Sequence, residues 1–185
     1  AFASCLLSGK KVLITAGPTQ EPIDPVRYLS NHSSGKMGYA LAEAAEAAGA
    51  SVTLVSGPVN LRASSSIKVI DVVTAKDMFA QVKKYIEAAD IFIGCAAVAD
   101  YSPVNKQSQK IKKNLNKNLM LELEPNPDIL KFVSENYSNK TIIGFSAETE
   151  NIESFAREKL VAKNLDFIVA NDVSRNDIAF NAAEN

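Results

Sequence analysis

Residues 11–38, KVLITAGPTQEPIDPVRYLSNHSSGKMG, decide how the rest of the chain is read. The first five are largely apolar and β-branched and predict a buried strand, whereas Gly35-Lys36-Met37-Gly38 opens a helical pattern over residues 39–48. The loop between them carries prolines at 18, 22 and 25, which cannot donate to a sheet ladder. It far exceeds the roughly 2–6 residues of an ordinary strand-to-helix turn, and a loop of that length is expected to have a function. Ser33, Ser34, Gly35 and the first N–H groups of the helix can donate to phosphate or carboxylate oxygens where the helix dipole favours negative charge. Lys36 and Arg27 add full positive charges. The same residues also suit a plain serine cap, with glycines easing helix–strand packing.

Two familiar phosphate motifs fail in this stretch. A Walker loop needs Gly five residues before the Gly-Lys pair and Ser or Thr after it, where this chain has Ser30 and Met37. A dinucleotide fingerprint needs G-x-G-x-x-G after the first strand and an acid ending the second, but the second strand, residues 52–55, runs into Ser56-Gly57-Pro58. A nicotinamide-dependent oxidoreductase is therefore disfavoured.

The 185 residues are 46% hydrophobic and 22% charged, enough for one sizeable core. Twenty basic against twenty-one acidic residues give a net charge of −1, so no general field would hold nucleic acid or an anionic membrane. Any anion must be bound locally. No apolar run reaches the length of a membrane span, and AFASCLLSGK lacks the layout of a signal peptide, so a cytoplasmic protein is expected. Two cysteines, Cys5 and Cys95, and a single histidine, His32, argue against a disulfide framework or a zinc site.

Strands and helices alternate along the rest of the chain. Strands are predicted at 68–72, 91–96, 141–145 and 166–170, and helices at 75–88, 129–135 and 152–163. Such alternation implies parallel strands joined by right-handed crossovers, with ligands at the carboxyl edge of the sheet. Gly94-Cys95-Ala96-Ala97-Val98-Ala99-Asp100-Tyr101 falls at that edge. Its small residues would admit a planar or sugar-bearing ligand, and Asp100 suits either ribose hydroxyls and an amine or a helix cap. Residues 102–118, with lysines at 106, 110, 112, 113 and 117, suit a solvated loop or a cationic lid over phosphates. Residues 119–124 alternate as a strand outside the main sheet, and Pro125-Asn126-Pro127-Asp128 turns into a helix. Lys159 and Lys163 share a helix face, where like charges repel unless an anion lies between them; a solvated face is the default. Residues 1–9 read as a tail or linker remnant, and residues 10–185 as a single domain cut short at its C-terminus.

Taken together, ITAGPTQEPIDPVRYLSNHSSGKMGYALA, VTLVSGPV, GCAAVADY, KIKK, NPDIL, GFSAET and KNLDFIVANDV resemble the bacterial phosphopantothenoylcysteine synthetase family. That family is the ligase half of a bifunctional flavoprotein of coenzyme A biosynthesis. The resemblance implies a Rossmann-like α/β three-layer fold with a mostly parallel sheet and a small extra strand region for dimer contact. It further implies CTP as co-substrate, Mg2+, 4'-phosphopantothenate and L-cysteine as partners, a homodimer, and fusion to a flavin-dependent decarboxylase. No flavin is expected in this domain. Position by position, Gly94, Cys95, Ala96, Asp100, Pro127, Asp128, Ile129, Leu130, Phe145, Lys159 and Lys163 would contact the nucleotide. Lys110 would reach the phosphates, Asn31 would handle the acyl-cytidylate, and Arg27 with Ala97 would bind the pantothenoyl part. Metal ligands are not implied. A nucleotide-binding module without catalysis is the competing reading, and it would be expected to lose Asn31 or Lys110, which are both present.

Overall fold

The apolar run that opens the chain forms β1, Lys11–Ala16, and its alternation builds two cores at once. Leu13 points into a cluster with Val55, Met78, Val82, Ile86, Phe92, Val133 and Ile142, while Val12, Ile14 and Ala16 point into another with Tyr39, Ala42, Val52 and Leu54. A strand buried on both faces belongs in the middle of a parallel sheet, and β1 lies there. The computed structural model describes residues 5–113, 118–148 and 150–172.

Six strands form the main sheet: β1, β4 (Ser51–Ser56), β5 (Lys68–Asp71), β6 (Ile91–Gly94), β9 (Thr141–Glu148) and β10 (Phe167–Asp172), in the order β10-β9-β6-β1-β4-β5. Every neighbouring pair is parallel. Helix α1 (Lys36–Ala47) covers one face. Helices α2 (Ala75–Tyr85) and α3 (Ile129–Asn136) cover the other, joined there by Leu160 of α4 (Ile152–Ala162). The chain steps from β1 to β4 on one side and later returns to β6 on the other, so the β1–β6 gap is the topological switch point. The expected three-layer α/β fold with a parallel sheet is therefore present.

The structure departs from the periodicity reading in its polar parts. The anchor loop is not irregular throughout: β2 (Gln20–Pro22) and β3 (Tyr28–Ser30) pair antiparallel as a short hairpin. The strand predicted over 119–124 is reduced to β8, Leu123–Pro125, which pairs with β7, Tyr101–Pro103, apart from the main sheet. Alternation without a core to face does not make a longer strand: Leu119 and Met120 remain 53% and 86% exposed. The helix predicted to run from 75 to 88 ends at Tyr85, and Ile86–Ala88 tightens into one 3-10 turn. Residues 5–9 are docked: the Leu7 N–H donates to the Ala48 carbonyl at 2.9 Å and its side chain joins the α1 core. The predicted lysine at 117 and the chain after Asp172 lie outside the described residues. No described helix is long and apolar enough to cross a membrane.

Two close approaches require glycine at the carboxyl end of the sheet. A Cβ on Gly38 would sit 2.4 Å from the Ala16 Cβ, so α1 can lie against β1 only without it. A Cβ on Gly57 would sit 1.7 Å from the Pro18 carbonyl oxygen, which is backbone and cannot swing aside. Gly57→Ala is expected to cost about 3 kcal/mol, because the strain of an added methylene adds to displacement of the loop after β1. Urea unfolding of the two chains measures it, and a loss below about 1 kcal/mol would show that the loop yields freely.

Candidate functional site

At the switch point the loops leaving β1 and β6 stay bonded to each other instead of diverging. The Ala97 N–H donates to the Gly17 carbonyl at 2.9 Å, and the Thr19 N–H donates back to the Ala97 carbonyl at 3.3 Å. The Thr15 hydroxyl accepts from the Ala96 N–H at 3.3 Å and the Thr19 hydroxyl from the Ala99 N–H at 2.9 Å. Thr15 and Thr19 are buried, so these bonds are made away from competing water. The seam puts Ala97 beside the Gly-Pro-Thr turn. Asn31, just after β3, reaches the same seam, its Nδ2 donating to the Val98 carbonyl at 3.1 Å while the residue stays exposed. Asn31 and Ala97, far apart in sequence, are thus brought together.

The β2–β3 hairpin is held over this edge by buried acids that residue type alone assigns to the surface. Glu21 is 2% exposed and its Oε1 accepts from the Ala75 N–H at 2.9 Å, meeting the first turn of α2 where the dipole favours an anion. Asp24, 3% exposed, accepts from the Val26 and Arg27 N–H groups in an Asx turn and from the Arg27 guanidinium. Burial pushes the Asp24 carboxyl up. The Arg27 hydrogen bond and the N–H groups of Ile111, Val26 and Arg27 outweigh it and hold the group well below the usual carboxylate range. Sequence reading overlooked Thr19, Glu21 and Asp24; Asp24-Pro25 opening a turn was the one local signal available. Arg27, expected to add a positive charge to the anchor loop, is engaged by Asp24 and also donates to the Ile111 carbonyl at 2.7 Å. Ser33 and Ser34 accept from the N–H groups of Gly35 and Lys36 at 3.3 and 3.5 Å, but the N-cap of α1 is Gly35, in the left-handed region and without a side-chain cap, so the expected serine cap is not formed.

A second cluster lies one and two strands along the same edge. β6 pairs with β9 only as far as Gly94–Gly144, after which β9 continues without β6 alongside. The Lys159 Nζ donates to the Phe145 carbonyl at 2.7 Å, and the Lys163 Nζ lies 2.8 Å from the Asp128 Oδ2. The repulsion expected between the two lysines is met in part by the Asp128 carboxylate on Lys163 and by the Phe145 carbonyl on Lys159. Burial raises the Asp128 carboxyl, but the Lys163 hydrogen bond, the Lys131 N–H and the charges of both lysines bring it below its ordinary value. Asp128 also caps α3. Leu130 packs over Gly94 and Gly144, and Ile129 is core, so within NPDIL it is Pro127 and Asp128 that lie towards the surface. Cys95 packs against the α1 core, and burial pushes its thiol up to about 12, which leaves it un-ionised and a poor nucleophile. Asp100 is exposed, with its carbonyl accepting from the Asn126 N–H at 2.7 Å. No helix begins at Asp100; β7 follows it, so the capping alternative does not apply.

Lys110 is exposed and sits on the hairpin side, next to Ile111, which is tied to Asp24 and Arg27. Among the described residues no group of three or more His, Cys, Asp or Glu side chains could hold a metal ion. The described carboxylates do not form a resident cation cage.

Residues 7–185 match the family described as DFP, the DNA/pantothenate metabolism flavoprotein C-terminal domain. The coenzyme A biosynthesis bifunctional protein CoaBC of Vibrio cholerae is 53% identical over 186 residues, which is 100% of this chain and 47% of that protein. Its Escherichia coli K12 counterpart is 50% identical over 177 residues, 94% of this chain and 44% of that one. This chain thus spans about half the length of these curated relatives. The crystal structure of the C-terminal domain of a CoaBC protein superposes with a TM-score of 0.81 at 47% identity, over 91% of this chain and 80% of that one. Sequence and fold agree over nearly the whole length, and the chain belongs to the DNA/pantothenate metabolism flavoprotein C-terminal domain family.

Proposed function

We propose that the chain is a phosphopantothenate–cysteine ligase of coenzyme A biosynthesis, using CTP. The observation that carries this reading is the pair of clusters on one sheet edge: Asn31 with Ala97 at the switch point, and Lys159 with Lys163 beside β9. A ligase of this type must bring a carboxylate onto a triphosphate, and two anions meet only where fixed cations and N–H donors offset their repulsion. The carboxylate oxygen of 4'-phosphopantothenate attacks the α-phosphorus of CTP, breaking the α–β bridge and releasing pyrophosphate. The amine of L-cysteine then attacks the acyl carbon of the mixed anhydride, losing a proton as CMP departs and the amide forms.

In this scheme Lys110, Lys159 and Lys163 meet the phosphates, and Asp100, Pro127 and Asp128 with the Gly94–Ala96 and Phe145 backbone border the nucleoside. Asn31 donates from its amide to the activated carbonyl, with Arg27 and Ala97 along the pantothenoyl part. Mg2+ carried by the triphosphate would offset part of its negative charge, alongside these lysines. The protein acts in the cytoplasm, with the full-length form joined to a decarboxylase half. The high identity to CoaBC proteins supports these assignments.

Pyrophosphate release by the purified chain, with phosphopantothenate, magnesium and either CTP or ATP, tests the reaction. Release is expected with CTP, dependent on phosphopantothenate and carried to full turnover by cysteine; no release with either nucleotide would overturn the ligase reading. Asn31→Asp puts a negative charge at the activated carbonyl and is expected to slow cysteine-dependent consumption of acyl-cytidylate about 100-fold in single-turnover assays. Consumption at the parent rate would remove Asn31 from that role.

The β7–β8 arm supports the homodimer. Tyr101 and Leu123 of this two-stranded sheet, too small to stand alone, and Val104, Leu119 and Met120 in the segments that extend from it, are each at least 42% exposed. Met120→Asp with Leu123→Asp is expected to yield monomers by light scattering, whereas an unchanged dimer would place the contact elsewhere.

A further inference from the structure

The segment carrying Lys110 is fastened to the β2–β3 hairpin at two points. The Gln107 N–H donates to the Ile23 carbonyl at 2.9 Å. Four residues later both main-chain groups of Ile111 are held: its N–H donates to the Asp24 Oδ2 at 3.0 Å, and its carbonyl accepts from the Arg27 Nη2 at 2.7 Å. Lys110 lies between these anchors with its side chain in solvent.

Asp24 is built for this. Its side chain has no exposed surface. Oδ1 serves the hairpin turn, accepting from the Val26 and Arg27 N–H groups at 2.8 and 2.9 Å. Oδ2 serves the clamp, accepting from the Arg27 Nε and Nη2 and from the Ile111 N–H. A buried carboxylate with one oxygen for its own turn and the other for a segment 87 residues away is a tie between two loops. Such a tie is needed where a long, flexible lysine must deliver charge to one spot. A lysine side chain has wide rotamer freedom of its own, and a moving backbone would add to the positions its ammonium visits. A misplacement of about 1 Å can cost 100-fold in rate.

We propose that Asp24 is a positioning residue for Lys110: through Oδ2 and Arg27 it fixes the backbone of Ile111 and with it the root of the lysine that meets the phosphates. The role given to Lys110 rests on the ligase reading; the clamp on Ile111 does not.

Asp24→Asn separates the two functions of the carboxylate. Asparagine keeps one carbonyl oxygen for the turn N–H groups and places an NH2 where Ile111 and Arg27 donate, so the turn is retained and the clamp is broken. Exchange of the Ile111 amide, followed by NMR, is expected to quicken at least about 10-fold. Pyrophosphate release is expected to slow about 10–100-fold. In a Lys110→Gln background the same change should cost less than about 3-fold further, because Asp24 acts through Lys110.

Equal losses in both backgrounds would give Asp24 a general structural role, or one through Arg27, and overturn the proposal, as would unchanged Ile111 exchange. A parent chain that releases no pyrophosphate with either nucleotide refutes the ligase reading, and the exchange of Ile111 still decides the clamp. Should the variant not fold, the parent chain decides: an Ile111 amide exchanging like a free one excludes the tie.

Discussion

The hydrogen-bonded seam between Gly17–Thr19 and Ala96–Ala99 is the constraint on which the rest of the edge depends. Parallel strands that part at a switch point ordinarily leave a crevice for a ligand. Here the crevice has a floor, because the backbone of each loop satisfies the other and two threonine hydroxyls complete the pairing. Asn31 can then be placed by a single bond to the Val98 carbonyl, and the hairpin has a fixed surface to fold against. The glycine at 57 belongs to the same construction: with no Cβ it lets β4 close onto the Pro18 carbonyl from the other side.

Ordering the loop after β1 requires burial of groups that resist it. A carboxylate taken out of water is costly unless hydrogen bonds replace those it loses. Glu21 finds the N-terminus of α2 and Asp24 finds five donors, four of them from Val26 and Arg27 close by in its own turn. The pattern follows from geometry. Prolines at 22 and 25 restrict the backbone and remove donors, so the hairpin offers few ladder bonds of its own and is held by side chains instead. For the same reason removal of one acid here acts on two loops at once.

The central sheet was legible because β-branched runs and helical periodicity report burial directly; Val12, Ile14, Val52, Leu54, Met78 and Val82 are all core. The hairpin was not, since three-residue strands punctuated by proline carry no period. Buried Glu21 and Asp24 were missed because residue type predicts exposure for acids, and only their partners, distant in sequence, explain the exception. Residues 119–124 show the opposite error: their alternation is real, but nothing in the described residues covers the apolar side beyond β8. For the site, the small-residue strand exit and the lysine pair were readable as types in a pattern. That Lys159 meets a carbonyl and Lys163 a carboxylate depends on α4 lying beside β9 and α3, which no local spacing encodes.

The pairing of these cations bears on how a nearly neutral protein could hold a polyanion. With a net charge of −1 there is no long-range field to concentrate a triphosphate, so attraction must come from charges fixed at short range. Lysines left loose in solvent would lose most of their rotamer freedom on binding, a cost of up to about 2 kcal/mol for each. Lys159 and Lys163 are already held, one on a backbone carbonyl and the other on Asp128, and Arg27 is held by Asp24. Lys159 is held on a backbone carbonyl, so less of its rotamer freedom is left to lose. Asp128 is different, because a carboxylate beside an incoming phosphate repels it. In the proposed ligase Lys163 therefore screens the two anions from each other, and Asp128 lowers the affinity of this edge for phosphate below what its lysines alone would confer.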